Sequence, residues 1–173
     1  MSNPSSPDPQ AKNLSRTFWW AAAVAVCAGV IFFLSTKGFG IKLSLGLLGG
    51  TLRFFGLELS YDALFHLDRI ARKLAHVMEY AVLAPVLYYT LRPSAAHGWH
   101  ARSGLLSILG SALFAASDEL HQLYVPGRNA SVRDWFIDMA GVLLGISAAY
   151  LWARLFPQNN KQSAATSDRT ETE

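Results

Sequence analysis

The chain has 173 residues, 51% of them hydrophobic and only 16% charged, with a net charge of +3 and a mean hydropathy of +0.22. A soluble domain carries about a quarter of its residues as Asp, Glu, Lys and Arg, so this balance points to a membrane-embedded chain with room for one small helical bundle and no second globular domain. No basic cluster interleaved with aromatics is present, which excludes nucleic acid as a partner, and the single Cys27 excludes an intramolecular disulfide.

Residues 1–15 are rich in Ser, Pro and Asn and read as a disordered N-terminal tail; residues 16–156 form the transmembrane domain, and the polar residues 157–173 form a disordered C-terminal tail. The first apolar run, Phe18 to Leu34, follows Lys12 and Arg16 as a signal peptide would. It lacks a small-residue cleavage site, and Val26 before Cys27 disfavours a lipoprotein signal, so the run is expected to remain as an anchor. The segment Ile41 to Leu59 is apolar but interrupted by Lys42, Gly49-Gly50, Arg53 and Glu58, and is expected to be an interfacial or re-entrant helix rather than a span. Three further runs, Leu74 to Leu91, Gly104 to Tyr124 and Trp135 to Phe156, approach the ~20 residues a helix needs to cross a bilayer. The expected fold is therefore an all-α integral membrane protein, a four-helix transmembrane bundle with an additional amphipathic or re-entrant helix between spans one and two. Trp19, Trp20, Trp135 and Trp152 fit an aromatic belt.

Ionisable residues gather where this order brings three helix ends to one side of the membrane. Lys73, His76, Glu79 and Tyr80 sit in the first turns expected for the second span; Asp118, Glu119, His121 and Gln122 close the third; Asp134 and Asp138 open the fourth, with Arg128 between. Such groups cost roughly 2.5–3.5 kcal/mol each at the centre of a membrane helix on insertion scales, so their clustering is a functional-site hypothesis. Helical spacing places Lys73, His76, Glu79 and Tyr80 on one face, and Asp118, His121 and Gln122 on another. Glu119 lies about 100° away, suited to pairing with Gln122 or to solvation. Tyr80 reads as an interfacial anchor more readily than as a catalyst. Asp134, Asp138, Gly141 and Gly145 share a stripe whose glycines allow close approach of a neighbouring backbone.

The linked motifs Lys73-x-x-His76-x-x-Glu79-Tyr80 and Asp118-Glu119-x-His121-Gln122, with Arg128, Asp134, Asp138 and Gly141 downstream, resemble the VanZ-like family of small bacterial membrane proteins. The resemblance spans roughly Leu34 to Trp152. The family pattern commonly has Asn where this chain has Asp138, so one negative charge is added. The family is named for a protein linked to low-level teicoplanin resistance, and the resemblance implies a cell-envelope role without defining a reaction.

Three chemistries fit the residue types. In the first, His76, Glu79, Asp118, His121 and Asp134 are candidate catalytic groups acting on a lipid-linked or phosphate-bearing cell-wall intermediate. A histidine serves as nucleophile or base, and Lys73 and Arg128, with Tyr80, Glu119, Gln122 and Asp138, bind the substrate. In the second, Asp118-x-x-His121 and His76-x-x-Glu79 supply a divalent metal, since each puts a carboxylate and an imidazole on one helical face. In the third, the polar groups form a register-fixing network in a non-enzymatic envelope factor that binds a lipid or partner. With both termini cytoplasmic, the loops place six Lys and Arg inside and eight outside, against the positive-inside trend. Because the outer excess lies in residues 35–72 and the cluster, an extracytoplasmic site remains the expectation.

Overall fold

The computed structural model describes residues 9–35, 41–94, 96, 98–124 and 131–156, with side chains given except at residues 9–12, 41 and 42. Among the described residues there are five helices and no strand: α1 (Pro9–Ser35), α2 (Ile41–Phe54), α3 (Tyr61–Leu91), α4 (Ala101–Leu123) and α5 (Val132–Leu155). α1 starts inside the stretch expected to be a tail, and its first residue is Pro9, a position where the missing N–H is no loss and φ is already helical.

The largest departure from expectation is the start of α3, at Tyr61 rather than Leu74. Ser60 caps it, its hydroxyl accepting from the Ala63 amide at 3.3 Å, and Asp62 in the first turn complements the helix dipole. The added turns are charged, and hydropathy alone passes over them. They fold because the charges are satisfied locally: Arg72 Nε donates to buried Asp68 at 3.0 Å and the same guanidinium reaches Ser44 of α2. This contact seats α2 on the N-terminal half of α3. At 14 residues α2 rises about 21 Å, short of the ~30 Å hydrocarbon core.

α3 packs against all four other helices, most extensively α5. The α3–α5 contact is backbone-close. A Cβ added at Gly141 would meet the Val77 carbonyl, and one at Gly145 would meet the Ala81 carbonyl and Pro85 Cδ, so the glycine stripe acts as its spacing suggests. The core is built from Tyr80, Leu83, Ala84 and Tyr88 of α3, Ala115 of α4, Val142, Ile146 and Ala149 of α5, and Ile31 of α1.

Among the described residues, three helices are long and apolar enough to cross a membrane: Asn13–Ser35 within α1, α3 and α5. α4, although 23 residues long, falls outside this group because its polar residues lower its hydropathy, and those residues face inward. Ser103, Ser107, Ser111, Asp118, Glu119 and Gln122 are buried, while Leu105, Leu109, Leu113 and Leu120 are exposed. Polar-in and leucine-out reverses the order of a water-soluble helix. Ser107 donates to the Ala84 carbonyl at 2.5 Å and Ser103 to the Leu91 carbonyl at 2.9 Å, tying α4 to α3 turn by turn.

Candidate functional site

The sequence-predicted residues meet at the end of the bundle formed by the C-termini of α1 and α4, the N-terminus of α5 and the middle of α3. Because α3 begins early, Lys73, His76, Glu79 and Tyr80 lie three turns or more into the helix and not in its first turns. Arg128 lies outside the described residues, so its place relative to the others is not part of the geometry.

The α3–α5 side forms a polar ladder of graded exposure. Lys73 Nζ pairs with Asp134 Oδ1 at 3.3 Å, with side chains 41% and 40% exposed. One turn deeper, His76 (24%) has Nδ1 3.7 Å from Glu79 Oε2 (12%) and 3.6 Å from Asp138 Oδ1 (2%). Tyr80, expected at the interface, is instead fully buried at the floor. Its hydroxyl has no hydrogen-bond partner among the described residues and lies within electrostatic reach of Asp138, Asp118, Glu79 and Glu119. Helical rise explains the gradient, since each step of three or four residues along α3 and α5 carries the next side chain one turn further from the helix-end rim.

The α4 side is organised differently. Asp118 Oδ2 accepts from Ser35 Oγ of α1 at 2.8 Å and from Gln122 Nε2 at 3.2 Å, so Gln122 pairs with Asp118 and not with Glu119. Glu119, expected to be solvated or bound to Gln122, is buried, and its Oε2 accepts from the Ser131 amide at 2.8 Å just ahead of α5. The reason is that Ser131, the N-cap of α5, lies over this face of α4. His121 turns to α1, its ring 4.5 Å from that of Phe32, and its buried Nε2 has no hydrogen-bond partner among the described residues. Trp135 is half-buried, and its indole N–H donates to the Ala112 carbonyl at 3.2 Å, tying α5 to α4.

Ser35 and Ser131 join the site through Asp118 and Glu119 without having been singled out from sequence. No group of three or more His, Cys, Asp or Glu among the described residues is arranged to hold a metal ion, so the two carboxylate–imidazole pairs do not combine into a ligand set.

A family model, VanZ/LLP1, matches residues 18–153, the range that holds all of these site residues. The chain belongs to the VanZ-like family. No curated protein and no solved structure matches it significantly. In this VanZ-like chain Asp138 is the most crowded carboxylate, within electrostatic reach of Glu119, Asp118, Asp134 and Glu79, with Oδ2 buried and lacking a hydrogen-bond partner among the described residues. Burying like charges together costs more than their pairing with His76 returns. Asp138→Asn is therefore expected to stabilise the protein by about 1–2 kcal/mol, read as a rise of several degrees in the melting temperature of the detergent-purified chain. A fall would show that the negative charge at this position is compensated in the fold.

Proposed function

We propose that this VanZ-like chain is a multi-pass protein of the cytoplasmic membrane whose cleft receives the polar head of a lipid-linked, phosphate-bearing cell-wall intermediate, with His76 as general base. The observation that carries this reading is the exposure gradient from Lys73 and Asp134 at the rim, through His76, to Asp138 at the floor. A purely structural network has no need of a path from outside, whereas a reacting site does.

The chemistry follows from the contacts. An imidazole flanked by Glu79 and Asp138 is oriented by them, and the imidazolium that forms when it takes a proton is stabilised there. Water attacking phosphorus gives its proton to His76; the bond from phosphorus to the leaving oxygen breaks, and the proton passes to that oxygen. The half-exposed Lys73 exchanges Asp134 for the incoming phosphate, and Arg128, in the connection between α4 and α5, supplies a bidentate partner. The family's link to teicoplanin resistance supports a cell-wall precursor as the substrate class.

In the membrane, α4 serves as the fourth span, its exposed leucines against lipid and its serines against α3. Residues 16–156 make up the transmembrane domain, both termini are cytoplasmic, the cleft opens on the extracytoplasmic side, and α2 rests at or dips into the interface. Reporter fusions after Arg102 and after Gln158 test the topology: both report cytoplasmic if it is right. For the activity, purified protein is offered a panel of lipid phosphates, pyrophosphates and esters, and phosphate or head-group release from at least one is expected. Protein that binds these lipids but turns over none would support a second reading, a non-enzymatic envelope factor. That alternative is favoured by the engagement of Asp118, Glu119 and Gln122 in ties among α1, α4 and α5.

A further inference from the structure

The end of the α3–α5 seam remote from His76 carries a second feature. Small side chains there leave an outward-facing groove of about 450 Å³, lined by Ala81 and Pro85 of α3 and Gly145 and Ala148 of α5, and ending at Tyr89 and Trp152. Tyr89 and Trp152 also line an adjoining pocket of about 140 Å³ with Arg92, Gly98 and Phe156. An apolar channel thus runs directly into a cavity that holds a guanidinium.

Arg92 is incompletely satisfied. One terminal nitrogen donates to the Ala96 carbonyl at 2.5 Å, but its Nε is buried without a hydrogen-bond partner, and it makes no ion pair among the described residues. A second cation stands beside it, since Arg16 Nη2 donates to the Arg92 carbonyl at 3.0 Å. A charged donor left unmatched at the mouth of an apolar groove calls for an anion with a hydrocarbon tail. Tyr89 and Trp152 are the side chains enriched at head-group depth.

We propose that groove and pocket together bind one anionic glycerophospholipid, its phosphate on Arg92 and one acyl chain along Ala81, Pro85 and Gly145. Arg92 lies about 24 Å along α3 from His76, and the site does not rest on the proposed activity. Its effect on the fold is to cover the α3–α5 seam where small residues leave it open.

The test uses the full chain in phosphatidylcholine nanodiscs doped with phosphatidylglycerol, with bound lipid counted by native mass spectrometry after release. Retention is expected to saturate at one phosphatidylglycerol per chain, with phosphatidylcholine not retained. Arg92→Gln should weaken retention about tenfold, Arg92→Lys less, and Ala148→Trp, which fills the groove from an exposed position, should abolish it while helix content is preserved. Should Arg92→Gln fail to fold because Arg92 also holds the Ala96 carbonyl, Ala148→Trp and the choice between the two lipids still decide. Equal retention of the two lipids overturns the proposal. So does wild-type retention in Ala148→Trp, or a dimer of this chain that Ala148→Trp dissociates and that carries no lipid.

Discussion

Gly141→Leu is expected to unfold the bundle. A Cβ at this position already falls 3.0 Å from the Val77 carbonyl carbon and 3.1 Å from Val77 Cα, closer still to the oxygen, and the obstacle is backbone that cannot swing aside. Relief requires α5 to move off α3, the most extensive helix pair in the molecule, dragging Val142 and Ile146 out of the core. Ordinary overpacking costs about 1–3 kcal/mol, and backbone displacement along a whole interface exceeds it, so a loss of about 4 kcal/mol or more is expected. For a chain of this size that corresponds to a drop of about 10 °C or more in melting temperature, or to no folded protein after detergent extraction. Gly50→Ala in α2 provides the contrast. Nothing lies within 4 Å of the added Cβ there, and replacing a helical glycine should be neutral or stabilise by up to about 1 kcal/mol. A Gly141→Leu protein that melts with the wild type would mean that α3 and α5 do not approach this closely.

His76→Ala should remove activity while leaving the fold intact. Its side chain lies outside the hydrophobic core, so the core packing is kept. The proposed general base disappears, and loss of such a group typically lowers turnover about 10²–10⁴-fold. His76→Gln sharpens the test, since an amide fills the same space and still hydrogen-bonds but cannot take a proton; it should be as inactive as His76→Ala. With the responsive substrate in hand, the measurement is single-turnover release of phosphate alongside the melting temperature. Turnover within a fewfold of wild type in both variants would move the chemistry away from His76. Loss of activity together with loss of the fold in His76→Ala, but not in His76→Gln, would assign the residue a packing role.

Much of this arrangement is legible in the residues. Glycines at positions 141 and 145 announce a close helix contact, and Val77 and Ala81 supply the opposing backbone. His76 and Glu79 fall on one face of a helix, and Asp138 comes to the same place from another. Less legible is which hydrogen bond each group makes. Gln122 is equally near Asp118 and Glu119 along α4, and the choice is made by Ser131, which occupies Glu119, and by Ser35, which fixes Asp118. Both serines come from other elements, so no spacing within α4 could reveal the outcome. Residues 61–73 hide for another reason: a search for apolar runs stops at Asp68, Arg69 and Arg72, yet the Asp68–Arg72 pair and Ser44 make those charges compatible with a continuous helix.

By itself the sequence determined that this is an apolar, all-helical chain of the VanZ-like family, and which ionisable residues its helices have to accommodate, because composition, helical period and motif spacing are local properties of the chain. Tertiary structure alone decided how those residues divide. Lys73, His76, Glu79, Asp134 and Asp138 line the α3–α5 seam from an exposed rim to a buried floor, while Asp118 and Glu119 are tied to Ser35 of α1 and Ser131 ahead of α5, and Gln122 to Asp118. The physical reason is that a buried polar atom takes whatever partner the neighbouring helices bring within about 3 Å, and which helices those are depends on how closely Gly141 and Gly145 let α5 lie on α3.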